Sequence, residues 1–143
     1  MSEPPLHLIG HRLPGADVTL PPHVAWLWAD AVGAEPASEV AHPSVAYLVA
    51  MQGSGMRVSE LLELMGASPE DGPLLGETEI RLDAVLRPGE TYSCAGGIVA
   101  VERKRGSRAG VFDLVRFEVE VAGSDGQAVA VCSYTWILPK RGE

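Results

Sequence analysis

The sequence predicts a single α+β domain in which a long buried helix is wrapped by an antiparallel β-sheet. Two observations carry that prediction. Residues 44–52, "SVAYLVAMQ", are apolar on nearly every helical face, and a helix that is hydrophobic all round is a buried one. From Gly76 onward the hydrophobic period falls to two, with turn residues between successive runs. Helices gathered in the first half and strands in the second argue for α+β rather than an alternating α/β pattern. A chain of 143 residues fits one domain, 1–143.

Residues 1–20 are rich in Pro and Gly and read as an extended N-terminal arm over the surface. "DVTLPPHVAWLWADAVGAE" reads as a helix that starts at Pro21–Pro22. Proline is tolerated in a first turn because the N–H it lacks had no partner there. Val24, Leu27, Trp28, Ala31 and Val32 share one face, and Gly33 is the stop. A polar connection, "AEPASEVAHP", follows. Pro43 pushes His42 into an extended conformation, so the buried helix begins just after it. Gly53 and Gly55 weaken or kink that helix. "VSELLELMG" is amphipathic, with Glu60 and Glu63 outward, and ends at Gly66. "ASPEDGP" is a loop by composition.

Four strands come next. "GETEIRLDAVLRPGE" alternates Ile80, Leu82 and Ala84 against Glu79, Arg81 and Asp83. "TYSCAGGIVAVERK" carries Gly96 and Gly97, the mark of a bulge or a close backbone approach. "GVFDLVRFEVEVA" alternates cleanly, "SDGQ" is an Asp-Gly hairpin turn, and "AVAVCSYTWILP" is the last strand. A concave sheet around an all-round apolar helix is the hot-dog fold.

Composition narrows the function. Apolar residues make up 46% and charged residues 21% of the chain, both ordinary for a globular domain. The formal net charge of -8 has the wrong sign for a general nucleic-acid or anionic-membrane partner. No apolar run approaches the roughly 20 residues a membrane-spanning helix needs. The N-terminus has no basic region followed by an apolar stretch, so no signal peptide is expected, and a cytoplasmic location is the default. Cys94 and Cys132 lie far apart with no CxxC or Cys/His spacing, so no metal site is expected and both should be free thiols.

From residue 76 to 139 the chain resembles the MaoC-like dehydratase and hydratase superfamily of hot-dog proteins. The resemblance rests on "LRPGE", "VAVERKRG", the long strand, the "DG" turn and the final strand, in that order, and on "WADAVGAEP" before the connection. It covers roughly Pro22 to Pro139. It implies a dimer and an acyl thioester on CoA or an acyl carrier protein as ligand, with no separate cofactor. Active relatives carry a loop of the form "GD-x-N-P-[LI]-H", whose Asp and His act as acid and base within about 3 Å of the reacting atoms. Here Ala34 stands where the Asp would be, the chain contains no Asn, and the next His is His42, beside Pro43. The resemblance therefore implies a member without its own catalytic pair. Such a chain would shape the pocket of a heterodimeric or heterotetrameric enoyl-thioester hydratase or 3-hydroxyacyl-thioester dehydratase. A MaoC-like partner would supply the loop. A homodimer, a stand-alone hot-dog thioesterase and an acyl-CoA-binding module without chemistry are the alternatives.

Candidate residues follow from these readings. His42 at the mouth of an acyl tunnel is either a base, helped by nearby helix N–H groups, or a helix cap. Glu35 and Glu39 are the carboxylates in the same connection. Tyr47, Gly53 and Gly55 are assigned to the acyl pocket, the glycines either admitting the ligand or allowing close packing. Arg103, Lys104 and Arg105, in the one basic cluster "ERKRGSRAG", suit the phosphates of CoA or simply solvate a hairpin turn. Trp26, Trp28, Tyr47, Tyr134 and Trp136 suit a core or a dimer interface.

Overall fold

The computed structural model describes residues 3–36 and 38–140. One sheet of five strands holds the domain: β1 (Ala16–Thr19), β2 (Leu74–Leu82), β3 (Thr91–Gly106), β4 (Gly110–Ala122) and β5 (Ala128–Pro139). Their spatial order is β1-β3-β4-β5-β2, and every neighbouring pair is antiparallel. β3, β4 and β5 form a meander. β2 instead crosses to the far edge and pairs with β5, although β3 follows it in sequence. Helices α1 (Pro22–Ala31), α2 (Ala46–Gly53) and α3 (Val58–Leu64) precede these four strands. The expected α+β architecture is the one found.

Alternation decides which face of the sheet is buried. On β4, Val111, Val115, Phe117, Val119 and Val121 are buried, and on β5 so are Ala130, Cys132, Tyr134 and Leu138. Between them Arg116 and Glu118 emerge on the other face, where Arg116 Nη2 reaches Glu79, Glu118 and the Ser133 hydroxyl. α2 lies on the apolar face. At its start, the Cys132 thiol donates to the Ala46 carbonyl (3.4 Å) and the Tyr134 hydroxyl to the Tyr47 carbonyl (2.7 Å). At its end, Gly53 faces Cys94 of β3. The helix thus crosses the sheet from β5 to β3. α1 lies near the entry of α2, where the Trp28 indole bonds Ser44 and Val24 lines a small pocket together with Leu48 and Val49. The sheet-facing residues Ala46, Val49, Ala50 and Gly53 are buried, whereas Tyr47, Leu48 and Met51 are half-buried and Gln52 is exposed, so the helix is less enclosed than its apolar run predicts.

The buried helix is shorter than its apolar run. A 3-10 turn at Pro43–Val45 enters it, and eight residues remain. Gly55 ends it rather than kinking it: its φ of +77° is left-handed, and its backbone abuts Gly15. The N-terminal arm also differs from expectation. It is not spread over the surface, because Leu8, Leu13, Val18 and Leu20 are buried. Gly10 and Leu13 donate backbone bonds to Ile98 and Gly96, Gly15 donates to Ser54 at 3.0 Å, and Ala16–Thr19 becomes an edge strand on β3. The arm closes a sheet edge that β3 would otherwise expose, and its pairing partners lie some eighty residues away, beyond local pattern.

Gly53 has no room for a side chain, since a Cβ there would stand 2.3 Å from the Cys94 Cβ. Gly53→Ala is expected to destabilise the domain by about 1–3 kcal/mol, the usual cost of overpacking, read as a lowered urea midpoint. Cys94→Gly in the same chain should recover part of that loss, as contacting sites couple. Additive effects would show that the contact is slack.

Candidate functional site

The entry to α2 gathers three side chains from two segments. His42 precedes the 3-10 turn, and its extended backbone (φ -59°, ψ 134°) is what Pro43 requires. The Ser44 N–H donates to His42 Nδ1 at 3.2 Å, and the Ser44 hydroxyl lies 2.8 Å from the same nitrogen. Trp28 Nε1 of α1 donates to that hydroxyl at 2.8 Å. His42 is thus a cap, the plainer of the two readings of the sequence. The N–H groups of the first turn are spent as well: Val45 donates to the His42 carbonyl and Ala46 to Pro43. The helix N-terminus therefore does not hold the ready-made N–H cradle that the sequence reading invoked.

Beside this entry lies a cleft of about 290 Å³. Val40, Ala41 and Pro43 form one wall, and Leu82, Ala84, Val85 and Leu86, with Asp83, form the other. A backbone bond from Ala41 to Leu86, 2.8 Å, ties the walls together. The lining is chiefly apolar and close to the lower end of ligand-pocket sizes. Its rim carries exposed Val40, Leu82 and Val85. Leu82 was expected to face inward, but it sits at the edge of the sheet, where β2 ends and turns away. No carboxylate side chain bonds His42 among the described residues, and both Glu35 and Glu39 are exposed.

The basic segment does not form one patch. Residues 102–106 belong to β3 rather than to a turn, so successive side chains point to opposite faces. Arg103 turns inward and grips Asp113, Nε to Oδ1 at 2.7 Å and Nη2 to Oδ2 at 3.1 Å. Asp113 is fully buried, and Lys140 approaches it at 3.8 Å. Arg103 is thus half of a buried ion pair, and this use of its guanidinium replaces the expected phosphate clamp. Lys104 points outward and reaches only Glu102, at 3.9 Å. Arg105 is exposed opposite Val111. The segment is also remote from the cleft. Leu82 pairs with Ala130, which pairs with Val121, and eight residues of β4 separate Val121 from Asp113, roughly 26 Å at about 3.3 Å per residue.

The glycine assignments to the acyl pocket meet a steric fact: the space beside Gly53 holds Cys94, and that beside Gly55 holds Gly15. Close packing is what these glycines permit. Tyr47 is half-buried, with its ring edge-on to Tyr134 at 5.3 Å. Trp28 packs against the core, whereas Trp26 is half exposed. Cys94 and Cys132 are free and buried, and no cluster of potential metal ligands occurs among the described residues. Burial pushes both thiols up, from 9.0 to about 11. Sequence reasoning missed Ser44 as the partner of His42 and Trp28 as the partner of Ser44. A serine two residues after a helix-entering histidine was a usable signal, but a tryptophan sixteen residues upstream was not.

These features define a hot-dog domain with an apolar cleft at the start of its central helix. No protein-family model and no curated protein sequence matches the chain. Solved structures do. A chain of the HadBC complex, a 3R-hydroxyacyl-ACP dehydratase from Mycobacterium tuberculosis, aligns with a TM-score of 0.67 at 14% identity, covering 89% of this chain and 93% of that one. A MaoC-like dehydratase from Rhodospirillum rubrum gives 0.63 at 13% identity, over 94% of both chains. A thioesterase superfamily member from Thermus thermophilus gives 0.60 at 18% identity, over 92% and 84%. At such identities the likeness shows the fold and leaves the reaction open. No helix among the described residues is long and apolar enough to cross a membrane.

Two outcomes follow. Arg103→Ala leaves Asp113 buried beside Lys140 alone and is expected to cost about 3–5 kcal/mol of stability, whereas Lys104→Ala, at an exposed pair, should cost under about 1 kcal/mol; urea unfolding separates them. For the thiols, the folded protein holds protons that the unfolded chain releases between about pH 9 and 11. Their contribution is therefore complete below pH 9 and lost as pH rises to 11. A Cys94→Ala/Cys132→Ala variant should show a shallower fall in unfolding free energy over that window than the unsubstituted chain. Equal slopes would contradict the assignment.

Proposed function

We propose that this chain is the non-catalytic, pocket-shaping subunit of a heteromeric enoyl-thioester hydratase or 3-hydroxyacyl-thioester dehydratase. Its substrate would be an acyl group carried on CoA or an acyl carrier protein. The observation that carries this reading is a cleft of suitable character beside a histidine with no acid–base partner. Hydration across an enoyl thioester needs one group to take a proton and one to give it, both held at the same water. Here Nδ1 of His42 is occupied by Ser44, and no carboxylate side chain bonds the ring among the described residues. The architecture suits the substrate while the chemistry is half missing, so a second chain with an intact "GD-x-N-P-[LI]-H" loop completes it. Two further points support an association. The outer edge of β2 exposes Leu74, Leu75 and Leu82, and the chain with the same fold in the HadBC dehydratase structure is part of a complex.

The test is reconstitution. The chain is purified alone and co-purified with a MaoC-like protein that carries the loop. Loss of enoyl-CoA absorbance should appear only with the pair. Hydration by the single chain overturns the non-catalytic role. Release of free thiol from acyl-CoA by the single chain replaces the proposal with a thioesterase, and binding without turnover by any pair replaces it with a binding module.

A further inference from the structure

Every residue that lines the cleft of about 290 Å³ is apolar except Asp83. Strict alternation along β2 would have sent this side chain to the outer face of the sheet with Glu79 and Arg81. A bulge interrupts that alternation. Just past the end of β2, the Asp83 and Ala84 N–H groups both donate to the Val129 carbonyl, at 2.8 and 3.1 Å. Two residues thus stand opposite one residue of β5, and a bulge of this kind re-aims a side chain. Asp83 accordingly joins Leu82 and Ala84 in the cleft wall. It stands at the rim, because it also borders an outer-face groove that holds Arg81 and Glu120. Its side chain is exposed, and among the described residues its carboxylate takes no hydrogen bond and no ion pair, Arg81 included.

We propose that Asp83 is the specificity-determining residue of this cleft, accepting a hydrogen bond from the hydroxyl of a 3-hydroxyacyl group whose chain lies against Leu82, Val85 and Leu86. Ligand pockets combine an apolar lining with a few polar groups that fix orientation, and Asp83 is the polar group in this lining. An ionised carboxylate only accepts hydrogen bonds, so it selects a ligand that donates one. Of the two acyl forms that the proposed reaction interconverts, the 3-hydroxyacyl form carries a hydroxyl and the enoyl form does not. An enoyl or saturated chain displaces water from the carboxylate and returns nothing. A hydroxyl replaces that water, and a hydrogen bond to a charged acceptor is stronger than a neutral one. The role is one of binding, and the acid and base stay with the second chain. The inference rests on the acyl-thioester reading above and adds the residue by which this chain tells one acyl form from the other.

Calorimetric titration of the purified chain with 3-hydroxyoctanoyl-CoA, 2-octenoyl-CoA and octanoyl-CoA tests this. The wild-type chain should prefer the hydroxylated ligand by about tenfold, the worth of one hydrogen bond. Asp83→Ala should bring the three affinities together by weakening the hydroxylated ligand alone. Asp83→Asn keeps an acceptor oxygen without the charge and should retain part of the preference. Asp83 is exposed and unpaired, so neither variant should move the urea midpoint, and a lost preference then reports recognition rather than folding. Equal affinities in the wild-type chain, or a preference that survives Asp83→Ala, overturns the role of Asp83 and leaves the acyl-thioester reading standing. Failure of all three thioesters to bind any of the three proteins overturns that reading and the role of Asp83 with it.

Discussion

α2 sits so close to the sheet that Gly53 has no space for a Cβ against Cys94, while its first carbonyls take hydrogen bonds from Cys132 and Tyr134. These contacts pin the helix at both ends, across strands β3 and β5. Much else is set by that pinning. α2 must stop at Gly55, because the arm carrying Gly15 passes there. The arm must then run on as β1, which closes the edge of β3. At the other end, the helix entry falls beside the turn after β2, and the cleft opens between them. A larger residue at position 53 would lift one end of the helix and disturb the arm and the edge strand together.

Much of this was legible in the sequence because it is local. Strand alternation in β4, the Asp-Gly turn, the proline start of α1 and the apolar helix are written in runs of ten residues or fewer. What was not legible is carried by distant partners. Nothing near Ala16–Thr19 announces that it pairs with residues 91–94. Arg103 looked like a phosphate ligand because it stands in a basic run; its true partner, Asp113, lies across a hairpin, and strand alternation sends Arg103 inward and Lys104 outward. The glycines offered both a packing and a ligand reading, and only the position of Cys94 separates them.

The candidate site divides in the same way. That a histidine stands at the helix entry follows from His42–Pro43 and the apolar run. Its contacts depend on Ser44 and, through Ser44, on Trp28, which α1 brings to the helix entry.

The same contacts bear on the chemistry. Acid–base catalysis on one water needs two titrating groups whose environments push them toward opposite roles. His42 brings one ring, and that ring spends its basic nitrogen on its own backbone. What lies beside it is a chiefly apolar cleft with one carboxylate, Asp83, in its wall. On the proposed function a second chain completes the acid–base pair, and Leu82, exposed at the end of β2 and lining the cleft, joins the apolar edge offered to that chain to the rim of the pocket.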